Sequence, residues 1–431
     1  MLDTELVNSD HLCVSFENWT GNRSIPAVGT NSGANVIPFQ SWRNFKEAFA
    51  PELIKTAFET AGRDVKKVVD PFGGSGTTAL AAQFLGAHPT TIEVNPFLAD
   101  LIEAKVCAYD FEHLVRSYSQ IIDSARGKSV DPAPYLANAP KTFLEPGING
   151  RYLFSENIAS RFFAYRAAID KLSDIASRRL FSVLLTGLSV SVSNAVVSGK
   201  GRRYRQNWKN NQVHVDDVDN LFEKTAIDAM RDLRRYEHRR VRSYNLLRGD
   251  SRELVTQLDE QDLAIFSPPY PNSFDYTDVY NIELWMGGYL RGSEDNRALR
   301  SQTLRSHVQI KRNFDYVTSS NLLVETLDRL ESVKSHLWNR SIPAMIGAYF
   351  DDMGKILVGM QNCLVEGAKV FMVVGDSRYA YVNVPVAAIL VEQARMLGYD
   401  VESSQPFRSM RASPQQGGQS ELPETLITLR R

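Results

Sequence analysis

Four residues in the second half of the chain combine chemistry with rigidity. Ser267-Pro268-Pro269-Tyr270 follows the apolar run DLAIF, which reads as a buried strand. Two successive prolines remove two backbone donors and hold the chain extended. A hydroxyl, a carbonyl and an aromatic ring are thereby fixed where a sheet ends, a common place for a site in α/β folds. A second group lies in DPFGGSGTT, residues 70–78, a glycine turn between a β-branched strand and a helix. Such a turn brings backbone N–H groups close to a ligand at a helix N-terminus. It lacks the Gly-Lys-Ser/Thr of a phosphate-binding loop and the spacing of GxGxxG. Alone it is equally well a simple tight turn.

Acidic residues at neighbouring strand ends add chemistry to that turn. Asp70 closes the strand VKKVVD and can accept from a cationic amine. Glu93 closes the next strand, within TTIEVN, where an acid can take both ribose hydroxyls of a nucleoside. Asp250 ends YNLLRGD and is placed to receive an adenine amino group; a turn aspartate is the plainer reading. The set suits an adenosyl ligand that carries an ammonium group.

The elements that must position these residues are legible in outline. Residues 1–44 read as an irregular lead-in, and FKEAFAPELIKTAFETAG (45–62) as a helix. A strand, the glycine turn, a helix and a second strand then form a βαβ unit. Alternation stops over 110–243, which reads as mostly helical, and resumes with YNLLRGD, DLAIFSPPY, AKVFMVVGDS, YDVESSQPF and ETLITLRR. Seven strands therefore alternate with helices, in an α/β core made of 45–109 and 244–431. The core is interrupted by 110–243 and by a second, smaller insertion at 287–345.

Composition narrows the class. The chain has 431 residues, is 43% hydrophobic and carries a net charge of −1, ample for a large core. Cys13, Cys107 and Cys363 stand far apart, which excludes a disulfide scaffold and suits a reducing cytoplasm. No HExxH and no apolar run of about 18 residues occurs, and the N-terminus lacks signal-peptide regions. The expectation is a cytoplasmic protein with no membrane partner.

Taken together, DPFGGSGTT, IEVNP, GDS and SPPY resemble the S-adenosylmethionine-dependent amino-methyltransferases of DNA, which act on N4 of cytosine or N6 of adenine. The resemblance implies a Rossmann-like, seven-stranded class I methyltransferase sheet with S-adenosylmethionine as cofactor. It places Asp70, Phe72, Gly74 and Gly76 on the cofactor loop, Glu93 on the ribose and Asp250 on the adenine. FKEAFAPEL falls on a segment enclosing the methionine end, with Lys46 and Phe49. Ser267, Pro268, Pro269 and Tyr270 fall on the catalytic tetrapeptide.

That assignment explains the rigidity. An exocyclic base amine is a poor nucleophile because its lone pair is conjugated with the ring. Accepting hydrogen bonds from its protons draws the nitrogen towards tetrahedral geometry, and Ser267 Oγ and the Pro268 carbonyl are the two acceptors. Fixed acceptors are what positioning catalysis requires. Tyr270 can stack on a base that has left the duplex. No metal is needed. In the resembled family serine at the first position is the common choice for N4-cytosine and aspartate for N6-adenine, so the reading is N4-cytosine in double-stranded DNA, with or without a cognate restriction enzyme. The alternatives are N6-adenine, an RNA amino-methyltransferase, or an inactive nucleic-acid-binding relic.

DNA contact should come from basic patches despite the neutral total. GKGRRYRQNWKN reads as an exposed loop offering Lys200, Arg202, Arg203, Tyr204 and Arg205. RDLRRYEHRRVRS (231–243) reads equally as a DNA-binding or a solvated helix face. Arg297, Arg300, Arg305, Lys311 and Arg312 in the second insertion, and Arg408 and Arg411 in a loop before the last strand, are further candidates. After the tetrapeptide, Phe274, Tyr276, Tyr280 and Trp285 line a base pocket or, more simply, fill the core. Asp275 and Asp278 read as capping residues. The helical insertion is the candidate recognition element.

Overall fold

The computed structural model describes residues 14–23, 36–43, 49–198, 201–271, 275–411 and 421–431. Lys46, Lys200 and Phe274 lie outside these, as does the side chain of Arg411. The β-branched runs form β1 (Lys67–Asp70), β2 (His88–Glu93), β3 (Asn245–Arg248), β4 (Gln261–Phe266), β5 (Leu364–Gly375), β6 (Asp400–Arg411) and β7 (Glu421–Arg430). They build one seven-stranded sheet in the order β3-β2-β1-β4-β5-β7-β6. Neighbours from β3 to β5 are parallel, and β7 runs antiparallel to both β5 and β6. The strand order reverses between β1 and β4, so a crevice opens at their carboxyl ends.

Helices cover both faces. On one side Ile346 and Met353 of Ile342–Cys363 pack with Leu390 of Val386–Met396 in one apolar cluster. On the other, the helices between β2 and β3 share a cluster with the core. Phe162, Phe181 and Phe222 of the insertion belong to the same apolar cluster as Leu80, Phe84 and Phe97. The insertion is thus welded to the sheet rather than carried on a stalk. Among the described residues no helix is long and apolar enough to cross a membrane.

Three sequence expectations change. The helix expected from residue 45 begins at Pro51, where the fixed φ of proline suits the first turn. The basic loop after the insertion's apolar helix is instead part of a hairpin, Ala195–Ser198 paired with Gly201–Tyr204. β6 runs on to Arg411, so Arg408 sits in an edge strand opposite Glu424 and not in a loop. Of the simpler readings, Tyr280 and Trp285 are buried core residues and Asp275 caps the helix Tyr276–Val279.

The arginine-rich stretch 231–243 divides. Arg239 is 2% exposed and donates to the Lys105 and Val106 carbonyls and to Gln83. Arg242 reaches the Cys107 carbonyl. These guanidinium groups satisfy the otherwise orphaned carbonyls at the end of the helix Pro96–Val106. Burial lowers the Arg239 guanidinium to about 9. Replacing Arg239 by methionine should cost about 2–4 kcal/mol of stability, because buried carbonyls lose their donors. Thermal and urea unfolding would register this with DNA affinity unchanged. A stable variant with weakened DNA binding would instead make Arg239 a DNA contact.

Candidate active site

The carboxyl ends of β1, β2 and β4 converge on one cavity of about 300 Å³. Asp70, Phe72, Gly74, Glu93, Asp250, Phe49, Ser267, Pro268, Pro269 and Tyr270 all line it. Stretches nearly 200 residues apart in sequence are brought together because β1 and β4 are adjacent, with Val69 opposite Ala264. Gly76, which precedes the helix Thr77–Leu85, and Gly74 both have positive φ, 79° and 52°. The turn requires that conformation, and glycine adopts it without strain. Gly73 is fixed by packing: a Cβ there would meet Thr91 Cγ2 at 2.4 Å.

Glu93 does more than face the ligand. Its Oε2 accepts from Gly74 N and its Oε1 from Asn95 N, each at 2.7 Å. The carboxylate ties the glycine loop of β1 to the end of β2 and keeps lone pairs towards the cavity. Asp70 accepts from Phe72 N at 2.9 Å. Among the described residues no basic side chain pairs with either acid. Burial pushes Asp70 up to about 6 and Glu93 up to about 7, against the pull of those amide bonds. Two desolvated carboxylates without a cation fit a ligand that brings positive charge and hydroxyl donors.

Asp250 is partly engaged. The Arg252 backbone N–H and Nε each donate to its Oδ1 at 2.9 Å, and Nη2 donates to Oδ2. Three donors against about four lone-pair positions leave one for an adenine amine. Three contributions to the site carried no signal in the sequence. Lys105, buried in the helix Pro96–Val106, donates to the Ser75 carbonyl at 2.7 Å and braces the loop from behind; burial lowers its ammonium group to about 7. Thr303, Leu304 and His307 of the second insertion line the cavity. Glu424 of β7 accepts from the Tyr270 hydroxyl at 2.9 Å, and that hydroxyl lies 3.1 Å from Ser267 Oγ.

The basic candidates have unequal roles. Arg203 is exposed on the hairpin. Arg202 pairs with Asp278 at 3.2 Å, fastening the hairpin beside the segment that follows the tetrapeptide. Tyr204 stacks on Trp208, and Arg205 donates to the Val190, Ser191 and Ala195 carbonyls. Arg300 pairs with Asp275, Arg305 with Asp351 and Asp352, and Arg312 donates to the Thr303 and Leu304 carbonyls. Arg300 and Arg305 hold the second insertion to the core, and Arg312 braces the insertion internally.

The sheet order, the glycine loop and the two strand-end acids define a class I methyltransferase using S-adenosylmethionine. No family model matches the chain. It is 23% identical over 444 residues to the type II methyltransferase M.BsoBI of Geobacillus stearothermophilus, covering 91% of this chain and 84% of that protein. It is 26% identical over 395 residues to the type II methyltransferase M.AvaI of Nostoc sp., covering 85% and 80%. Among solved structures TrmN from Thermus thermophilus aligns with a TM-score of 0.30 and 11% identity over 88% of this chain and 48% of that one, too loosely to carry an argument. The relatives M.BsoBI and M.AvaI are both type II methyltransferases, in keeping with the resemblance of the chain's motifs to the S-adenosylmethionine-dependent amino-methyltransferases of DNA.

Both acids have values above the ordinary carboxylate range, so they resist ionising until pH passes about 6 and about 7. A cationic ligand needs them ionised. Affinity for S-adenosylmethionine should therefore rise between about pH 6 and 8 and level off above. Calorimetric titration across that range should show the rise, with Glu93→Gln flattening most of it. A flat wild-type curve would contradict the assignment.

Proposed function

We propose that the protein methylates the exocyclic N4 amine of a cytosine flipped out of duplex DNA, by direct in-line transfer at a specific site. The observation that carries this reading is the position of Ser267 and Pro268 at the end of β4, in the same cavity as the cofactor acids. When bound, S-adenosylmethionine supplies an activated methyl group, so the chain's own task is to aim the amine. The Pro268 carbonyl receives no hydrogen bond from a described residue, which leaves it available to one amine proton. Ser267 Oγ takes the other. Pro268 and Pro269 hold both acceptors against rotation. Asp70 receives the amino acid end of the cofactor, Glu93 the ribose and Asp250 the adenine, with Phe72 and Phe49 as apolar walls. A base must leave the stack to reach this cavity.

Duplex binding falls to the hairpin at the cavity's flank. Arg203 is exposed, and Lys209 lies 5.7 Å from the Trp208 ring centroid; these are the cations for phosphates. Lys200 and Arg411 are assigned the same role from sequence. The helical insertion, 110–243, bears the hairpin and is the recognition element of this reading. A restriction enzyme of the same specificity is the natural companion of such a methyltransferase.

Removing one positioned hydrogen-bonding group typically slows catalysis by about 10²–10³. Ser267→Ala should lower single-turnover methyl transfer to DNA by that order with cofactor affinity kept; an unchanged rate would remove Ser267 from the mechanism. Arg203→Glu should weaken DNA binding and reduce the slope of log affinity against log salt by about 1. An unaltered slope would return the hairpin to ordinary surface.

A further inference from the structure

We propose that Glu424 sets the hydrogen-bond polarity of the tetrapeptide through the Tyr270 hydroxyl, so that Ser267 meets the target amine as an acceptor, and that Glu424 finally takes the amine's proton. This rests on the amine-methylating role of Ser267. Three side chains form a line from the cavity into the sheet. Ser267 Oγ is 3.1 Å from Tyr270 Oη, and Tyr270 Oη is 2.9 Å from Glu424 Oε1. Arg408 Nε stands 2.8 Å from Glu424 Oε2. The register makes the line possible. A bulge between Pro406 and Arg408 in β6 sets Arg408 opposite Glu424, which in turn sits opposite Gly375 of β5. Glu424 is 5% exposed. A buried carboxylate facing one arginine and one phenol is not a surface ion pair.

The donors and acceptors allow one arrangement. An ionised carboxylate only accepts, and an arginine only donates. Arg408 favours the ionised form of Glu424, and in that form Tyr270 gives its single hydrogen to Glu424. The Tyr270 oxygen can then only accept from Ser267. The serine hydrogen is drawn away from the cavity, and both remaining lone pairs of Ser267 Oγ are free towards it. A lone serine in water donates and accepts with equal ease. Here the amine meets an acceptor before any reaction begins.

The same line disposes of the proton. As the new N–C bond forms and the C–S bond breaks, sulfur keeps the bonding pair and positive charge develops on nitrogen. The amine's proton passes to Ser267 Oγ, the serine's hydrogen to Tyr270 and the tyrosine's to Glu424, which ends neutral. Charge and atoms balance with no further reactant. The charged and titratable groups facing Glu424 are Tyr270 from the catalytic loop and Arg408 from β6; Tyr276 stands beyond Tyr270. Burial raises the Glu424 carboxyl above its ordinary value while Arg408 and Tyr270 draw it back. Burial and the Glu424 charge push the Tyr270 phenol well above its own, so it keeps its hydrogen.

Glutamine at 424 would reverse the line. Its carbonyl would turn to Arg408 and its amide N–H₂ to Tyr270, which would then donate to Ser267. The test is single-turnover methyl transfer to DNA by wild type, Tyr270→Phe, Glu424→Gln and the double variant, with S-adenosylmethionine affinity measured on each. Each single change should slow transfer by about 10- to 100-fold with cofactor affinity kept. The double variant should be no slower than the slower single, because one line is cut in either place. With S-adenosylmethionine held saturating at every pH, the wild-type rate should fall on acidification as Glu424 protonates, and Tyr270→Phe should lose that limb. Factors that multiply in the double variant, or Glu424→Gln at the wild-type rate, overturn the proposal. If Glu424→Gln loses cofactor binding, the pH profile of Tyr270→Phe decides by itself. Label in the bases with independent variants rejects the line alone; wild type that labels no base rejects the reading beneath it as well.

Discussion

Two backbone amides donate to one buried carboxylate, and the cofactor site is arranged around that interaction. Gly74 N and Asn95 N converge on Glu93 from the turns that follow β1 and β2. The glycine loop is therefore tied to the end of β2 by a carboxylate that lines the cavity. Remove the carboxylate and the loop loses its anchor. Burial without a cation is the cost of this arrangement, and it raises both Glu93 and Asp70. Such raised acids are a recurrent mark of functional sites. A positive charge placed beside them would favour their ionised forms.

The second half of the site obeys a different constraint. Ser267 and Pro268 need rigidity more than charge, and they obtain it from prolines at the end of β4. Their surroundings are built from far along the chain. Ser377 and Tyr379 donate to the Pro271 carbonyl and steady the loop beyond the tetrapeptide. Glu424 approaches from β7, the strand whose reversed direction brings its first residues to the reactive edge. An all-parallel sheet would bring a strand's last residues there. The antiparallel strand is thus what delivers a carboxylate to Tyr270.

Most of this plan was legible from residues. All seven strands were read, most plainly β1, β2 and β5, which are rich in β-branched residues and end in an acid or a glycine. Asp70, Glu93 and Ser267 were singled out for their positions at strand ends, and the structure gathers them at one cavity. What escaped was contact across long sequence distance. Glu424 sits in PETL and resembles any strand-edge glutamate; only the sheet register brings it to Tyr270. Lys105 looks like a helix lysine on a solvated face, yet it is fully buried against Ser75. The arginines misled in the opposite sense. Arg205, Arg239, Arg305 and Arg312 read as a polyanion surface, and each instead satisfies carbonyls or carboxylates of its own chain. A side chain with several donors closes loops and helix ends as readily as it binds phosphate.

The most direct test of the central claim is the identity of the product. Labelled S-adenosylmethionine is incubated with mixed-sequence duplex DNA, and with RNA in parallel, and the nucleosides are separated and weighed by mass spectrometry. The account predicts N4-methylcytosine, from DNA alone. N6-methyladenine would leave the fold and cofactor site standing and contradict the role given to Ser267 in choosing the base. Label confined to RNA would contradict the substrate itself.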